Sequence, residues 1–325
     1  LFFVLVMIMA SLYPQLRRLF VIFFLAGAVL VCGFAALQVF VLPPDILSAL
    51  GYGDATIVPY MTVDENPDYI RVNSTLRGPN PLGAYGVIAI AVAVTYMIRK
   101  WRSVQLKSIM FMSLLSLTGL VAVWASYSRS ALVAAIITLA VIFLFTVGRR
   151  LNRWVWISLV VVGCATLGGL YAARDTSFVS NVILHENEGT GGPMSSNDGH
   201  FESLGEGTNR LMNQPLGAGI GSTGSASLHS TDPIIIENQY LFIAHEAGWI
   251  GLALFAVLFI LILEQLWRQR SDWLALAVFA SGVGLALIGV LLPVWVDDTV
   301  SIIWWGLAGF IIGGSYVRTL DKTPK

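Results

Sequence analysis

Long apolar runs constrain this chain more than any other feature. A backbone placed in hydrocarbon must satisfy its own hydrogen bonds, and a helix does so within one segment. Nine runs reach or approach the ~20 residues needed to cross ~30 Å of lipid. They lie near residues 1–13, 19–41, 81–98, 108–125, 131–147, 154–172, 239–263, 273–293 and 300–317. With 56% hydrophobic and 12% charged residues, too little polar surface remains to clothe a soluble globule. The expected fold is therefore all-α, a polytopic integral membrane protein with about nine transmembrane helices. The opening LFFVLVMIMA has neither an initiator methionine nor a basic start, so it reads as the remnant of a span with part of the N-terminus missing. Three regions follow: helices over 1–172 with a loop at 42–80, a large loop at 173–238, and helices with a short tail over 239–325.

The 19 basic and 19 acidic residues cancel in number but not in place. Sorting the connections alternately onto two sides gathers Arg17, Arg18, Arg99, Lys100, Arg102, Lys107, Arg149, Arg150, Arg153, Arg268, Arg270, Arg318, Lys322 and Lys325 on one of them. By the positive-inside rule that side, with the C-terminus, is cytoplasmic. The other side keeps Arg71, Arg77, Arg129, Arg174 and Arg210. It also holds most acids, among them Asp64, Glu65, Asp68, Glu186, Glu188, Glu202, Glu206, Asp297 and Asp298. Both long loops fall on this outer side, so recognition or chemistry is expected there. Cys32 and Cys164, each inside an apolar run, read as small buried hydrophobes rather than a disulfide or metal pair.

Against this background the turn SYSRS, residues 126–130, places Arg129 between two spans on the outer face. An arginine deep in hydrocarbon costs on the order of 2.5–3.5 kcal/mol, and less near the interface. It either snorkels or pairs with a loop carboxylate, or it grips a phosphate through its planar fork. Arg71 and Arg77, in RVNSTLRGPNPLGAYG, either neutralise Asp64, Glu65 and Asp68 or join Arg129 around a polyanionic headgroup such as a lipid pyrophosphate.

The second long loop divides into ENEGTGGPMSSNDGH, a linker, and HFESLGEGTNRLMNQ, a short helix. Its Gly219, Gly221 and Gly224 match G-x-G-x-x-G, but no strand and no βαβ unit surround them. The dinucleotide reading therefore fails, and the glycines let backbone approach a ligand or a neighbouring helix. In IIIENQYLFIAHEAGWIG, Glu237 and Glu246 are candidate general bases, while Glu237 and Asn238 also stand where a helix would be capped. His245 reads as a hydrogen-bonded core histidine. His185, His200 and His229 show no metal-ligand spacing, and the Asn73-Ser74-Thr75 sequon is a weak signal.

Three stretches, RVNSTLRGPNPLGAYG, ASYSRSALVA and the block from NQPLGAGIG to ENQYLFIAHEAGWIG, resemble the O-antigen ligase and polymerase superfamily of bacterial envelope glycosyltransferases. The resemblance implies a GT-C-like fold in the bacterial inner membrane. It also implies metal-independent, inverting transfer of a glycan from an undecaprenyl-pyrophosphate carrier on the extracytoplasmic face to a glycan or lipid-linked acceptor. No cofactor and no nucleic acid are implied; membrane lipids are. The family's Ser-Arg-Gly element matches Ser128, Arg129 and Ser130, which implies that Arg129 contacts the pyrophosphate. Its arginine before a Pro-Asn pair matches Arg71 or Arg77. A second pyrophosphate cation falls at His200 or the nearer Arg210. Where ligases carry histidine in a frame ending in two glycines, this chain has Glu237, Asn238, Gly248 and Gly251, so the implied base is a carboxylate and polymerisation is favoured over ligation. Gly217 and Gly219 are expected beside the sugars. The rival reading is a transporter or flippase of an anionic lipid-linked glycan.

Overall fold

The computed structural model describes residues 1–63, 66–148, 151–176, 179–180, 196–229, 231 and 233–320; side chains at 156, 159, 160, 167, 196–202 and 316–320 lie outside that description. Asp64, Glu65, Arg149, Arg150, His185, Glu186, Glu188, Lys322 and Lys325 are thus outside the described residues, as are the side chains of Glu202 and Arg318.

Helices form over all nine apolar runs: α1 (Phe2–Leu12), α2 (Leu16–Phe40), α3 (Pro79–Lys100), α4 (Leu106–Ala125), α5 (Arg129–Thr146), α6 (Arg153–Ala172), α8 (Gln239–Arg268), α9 (Trp273–Leu291) and α10 (Asp298–Leu320). A further helix, α7 (Ser196–Asn213), lies in the second loop. Five of the described helices, α2, α3, α4, α5 and α8, are long and apolar enough to cross a membrane. The 11 residues of α1, at 1.5 Å each, fall short of the hydrocarbon thickness. The first loop departs from an all-helical expectation, because β1 (Tyr60–Val63) pairs antiparallel with β2 (Asn66–Val72) in the register Met61↔Arg71.

Helix α3 is the hub. Of its apolar window 72% is buried inside the protein, against 17% for α8, and it packs on α4, α5 and α9. In lipid, helices gain little from apolar burial against one another, so small residues that let backbones approach decide the contacts. A Cβ on Gly86 would come 2.8 Å from Val123 Cγ2 and 3.3 Å from the Gly119 carbonyl oxygen. One on Gly83 would come 2.8 Å from Ser126 Oγ. These glycines seat the SYSRS turn directly against the start of α3. Cys32 is buried, but Cys164 sits on an exposed face of α6 and both thiols are free; the expectation of two buried cysteines holds for Cys32 only, because α6 packs lightly on the rest.

Contacts sort the connections to two ends. At one end Arg17 bridges Asp272 at 2.7 Å, and Arg99 donates to the carbonyls of Phe145 and Arg270. At the opposite end Arg71 reaches Ser126, Arg77 reaches Val296, Asn238 donates to the Val290 carbonyl at 2.6 Å, and Gln239 accepts from the Trp295 N–H at 2.7 Å. The first loop is anchored at this second end by Ser74, whose N–H donates to Gln38 and whose hydroxyl donates to the Val31 carbonyl. Asn73 is fully buried, its amide given to the Val58 carbonyl, so the sequon is not a sugar acceptor.

Candidate functional site

The tight turn between α4 and α5 is built by its serines. Ser126 Oγ donates to the Val123 carbonyl and accepts from the Ser128 N–H, while Ser128 and Ser130 share a hydroxyl contact of 3.1 Å. Tyr127 takes φ 46°, a left-handed conformation that non-glycine residues rarely adopt. Its ring lies between Tyr69 and Trp124, with centroids 6.4 and 6.3 Å away. Burial, reinforced by Tyr69, pushes its phenol above the ordinary tyrosine range. Arg129 then occupies the first position of α5, half-buried, with no acidic residue in that first turn. A cation there opposes the helix dipole by roughly 0.3–1 kcal/mol, a local conflict of the kind found where function sets the residue.

Arg71 comes to this turn from β2. Its Nε donates to the Ser126 carbonyl at 2.9 Å and its Nη2 to Asn80 Oδ1 at 2.7 Å. Arg77 is placed differently. Its Nε lies 3.2 Å from Asp297 Oδ2 and its Nη2 donates to the Val296 carbonyl. Asp297 is 6% exposed and also accepts the N–H of Val300. The pair borders a cavity of about 390 Å³ between the start of α3 and the α9–α10 connection, which Asn80, Met61 and Ser225 also line. Arg71 and Arg77, equivalent by sequence, therefore belong to adjacent but distinct places that share Asn80.

The second part of the site surrounds α8. Its side-chain cap is Asn238, whose Oδ1 accepts from the N–H groups of Tyr240 and Leu241 at 2.9 and 3.0 Å. Capping thus belongs to Asn238, leaving Glu237 just outside the helix, half-buried, its N–H donating to Ser203 Oγ at 2.9 Å. Ten residues further the helix breaks at Gly248, φ 71° and ψ −173°, a combination open essentially to glycine alone.

The backbone groups freed by the break are taken up by the loop after α7. The Trp249 N–H donates to the Pro215 carbonyl at 2.9 Å, and the carbonyls of His245 and Glu246 accept from Ala218 and Gly219 at 2.6 and 3.1 Å. Glu246 Oε1 accepts from the Gly221 N–H at 2.7 Å. A Cβ on Gly217 would lie 2.6 Å from the Gly248 nitrogen. These glycines fit the loop into a broken helix, the neighbouring-helix option raised by the sequence, and Glu246 is occupied in holding that loop.

His245 is buried as expected, at 1% exposure. Contrary to expectation, neither ring nitrogen meets good hydrogen-bond geometry; its polar neighbours are the Ser222 backbone, Arg210 and Glu206. Arg210 itself is matched by Glu206 one turn earlier at 2.6 Å. His200 stands on α7 one turn before Ser203, with its side chain outside the described residues. Among the described residues no three His, Cys, Asp or Glu side chains gather as a metal group. The sequence reading placed Asp297 among the outer-side acids but gave it no role in the site, although it stands just before an apolar run, and it missed the break at Gly248, for which an isolated glycine carries no distinctive mark.

A family model described as O-antigen ligase matches residues 114–256, a stretch that holds Arg129, His200, Arg210, Gly217, Gly219, Glu237 and Asn238 but not Arg71, Arg77 or Asp297. No curated protein matches the chain. That matched region spans the Arg129 turn, the glycine loop and the broken helix, with apolar helices on either side, so over residues 114–256 this chain is similar to the O-antigen ligase family, which supports the O-antigen ligase and polymerase superfamily.

Proposed function

We propose that the protein is an inverting membrane glycosyltransferase that polymerises, or ligates, repeat units carried on undecaprenyl pyrophosphate at the extracytoplasmic face of the inner membrane. The observation that carries this reading is the bond from Arg71 to the backbone of the turn bearing Arg129. A guanidinium from another loop thereby reaches the turn that carries Arg129, at one end of the helices, where the opposite end is the more basic. That asymmetry orients the site outward and the C-terminus inward under the positive-inside rule, with all nine apolar helices embedded.

The chemistry follows from the groups present. The lipid pyrophosphate rests on Arg129 and Arg71, whose forks suit its oxygens. An acceptor hydroxyl attacks the anomeric carbon from the face opposite the leaving group. The bond from that carbon to the pyrophosphate oxygen breaks, its electron pair departs with the lipid pyrophosphate, and the hydroxyl proton passes to the Glu237 carboxylate. Charge accumulates on the departing diphosphate, and preorganised arginines stabilise it there more than in the ground state. His200 is the remaining candidate for a further cation, since Arg210 is neutralised by Glu206.

A broken helix such as α8 is also a feature of transporters. Its freed backbone groups are satisfied here by the protein's own loop, and none of the other described helices carries an interior break, which favours the enzyme. The test is glycan chain length in cells and with purified lipid-linked repeats. Arg129→Ala and Glu237→Gln should each abolish polymer, the second while retaining lipid binding. Wild-type polymer from a normally expressed Arg129→Ala variant refutes the reading.

A further inference from the structure

We propose that the cavity of about 390 Å³ at the start of α3 is the binding site for the acceptor glycan, with the Arg77–Asp297 pair as the element that reads its hydroxyls. The inference rests on the donor reading above and deepens it by separating the two substrates in space.

Charge decides what the cavity accepts. Asp297 lies 3.2 Å from the Arg77 guanidinium and is buried, so the pair brings no net positive charge to the site. A diphosphate seated on Arg77 would meet this carboxylate within a few ångströms, and like charges at that range repel strongly away from bulk water. A neutral polyhydroxyl ligand meets no such penalty. The guanidinium offers donors, the carboxylate acceptors, and Asn80 and Ser225 both; mixed planar groups of this kind satisfy a sugar ring's alternating hydroxyls. The remaining walls are apolar, including Pro79, Leu292 and Pro293, which suits the C–H faces of a pyranose. The volume is of the size that holds a small ligand.

Position places this cavity between donor and base. It shares Asn80 with the Arg71 station, and Met61, which lines it, pairs across the hairpin with Arg71. Its far wall, the connection after α9, is tied at Trp295 to Gln239, and the end of α9 just before it is tied at Val290 to Asn238, the two residues that follow Glu237. A hydroxyl presented from the cavity would lie between the pyrophosphate arginines and the carboxylate that receives its proton.

The test uses the full chain in nanodiscs and two probes, undecaprenyl pyrophosphate without sugar and repeat-unit oligosaccharide released by mild acid from the producing cell's own surface glycan. Arg77→Gln should weaken oligosaccharide binding at least tenfold and leave undecaprenyl pyrophosphate binding within twofold. Ser225→Trp, at an exposed position that leaves the ion pair intact, should block the mouth with the same effect. Asp297→Asn keeps a side-chain oxygen for the Val300 N–H yet frees the Arg77 charge; it should lower oligosaccharide binding and raise pyrophosphate binding severalfold, a reversal that mere structural damage would not produce.

The proposal is overturned if Arg77→Gln weakens pyrophosphate and spares oligosaccharide, if Ser225→Trp leaves oligosaccharide binding intact, or if Asp297→Asn changes neither. Failure of the donor reading is read separately: Arg129→Ala would then bind undecaprenyl pyrophosphate as the wild type does, whatever the cavity variants show.

Discussion

Replacing Gly248 with alanine tests how the outer part of α8 is held. At φ 71° and ψ −173° any side chain meets backbone strain of about 1–3 kcal/mol. The new Cβ would also lie 2.5 Å from the Pro215 carbonyl oxygen and 2.6 Å from the Leu216 carbonyl carbon, neither of which belongs to a flexible side chain. Relief requires the loop to withdraw, which releases the bonds of Trp249 to Pro215, Ala218 to His245 and Gly219 to Glu246, each contributing about 0.5–1.5 kcal/mol. The expected loss is on the order of 3–7 kcal/mol. Two controls bracket it. Gly219→Ala carries strain at φ 101° but meets nothing within 4 Å, so its loss should be about 1–2 kcal/mol. Gly163→Ala, in α6 with open space around it, should be neutral or stabilise by up to about 1 kcal/mol. Unfolding in mixed detergent micelles, followed by tryptophan fluorescence, ranks the three, and under the proposed function glycan chain length reports whether Glu237 is still positioned. Equal stability of the Gly248→Ala and Gly163→Ala proteins would refute the claim that the loop plugs a broken helix.

Other expectations follow from single contacts. Arg71→Lys keeps the charge but not the two-point link to Ser126 and Asn80, so turnover with purified lipid-linked repeats should fall at least tenfold, whereas a purely electrostatic role would leave it near wild type. Asn238→Ala removes both the cap of α8 and the bond to the Val290 carbonyl and should cost about 2 kcal/mol, whereas Asn238→Asp keeps the cap but turns a carboxylate oxygen toward that carbonyl and should recover only part of it; thermal denaturation of the two variants checks the difference. For Tyr127 the folded-state pKa is raised by burial, so its neutral form contributes stability fully below the unfolded value near 10 and loses it as pH rises through the higher folded value. Melting temperature should therefore drop above pH 10 in the wild type and drop less steeply in Tyr127→Phe.

Some parts of the site were legible because they depend on short-range rules. The SYSRS turn shows in the chain as a polar interruption between two apolar runs, and Asn238 as a capping residue before a helical pattern. The separation of Arg71 from Arg77 was not legible. Six residues apart in one loop, they differ only in what other elements bring to them: the Ser126 carbonyl from the α4–α5 turn for one, Asp297 from the α9–α10 connection for the other. Glu246 illustrates the same point, since its partner, the Gly221 N–H, is 25 residues away and no local pattern announces it.

By itself the amino-acid order determined that helices form over nine apolar runs, because satisfying the backbone within one segment is a property of that segment, and the chain's charge asymmetry set the expected sidedness. The tertiary structure alone decided which arginine stands at the Arg129 turn, which one is neutralised beside a cavity, and that α8 is broken and held by a glycine loop. Those outcomes turn on contacts between residues far apart in the chain, and such contacts exist only once small residues along α3 let the helices close on one another.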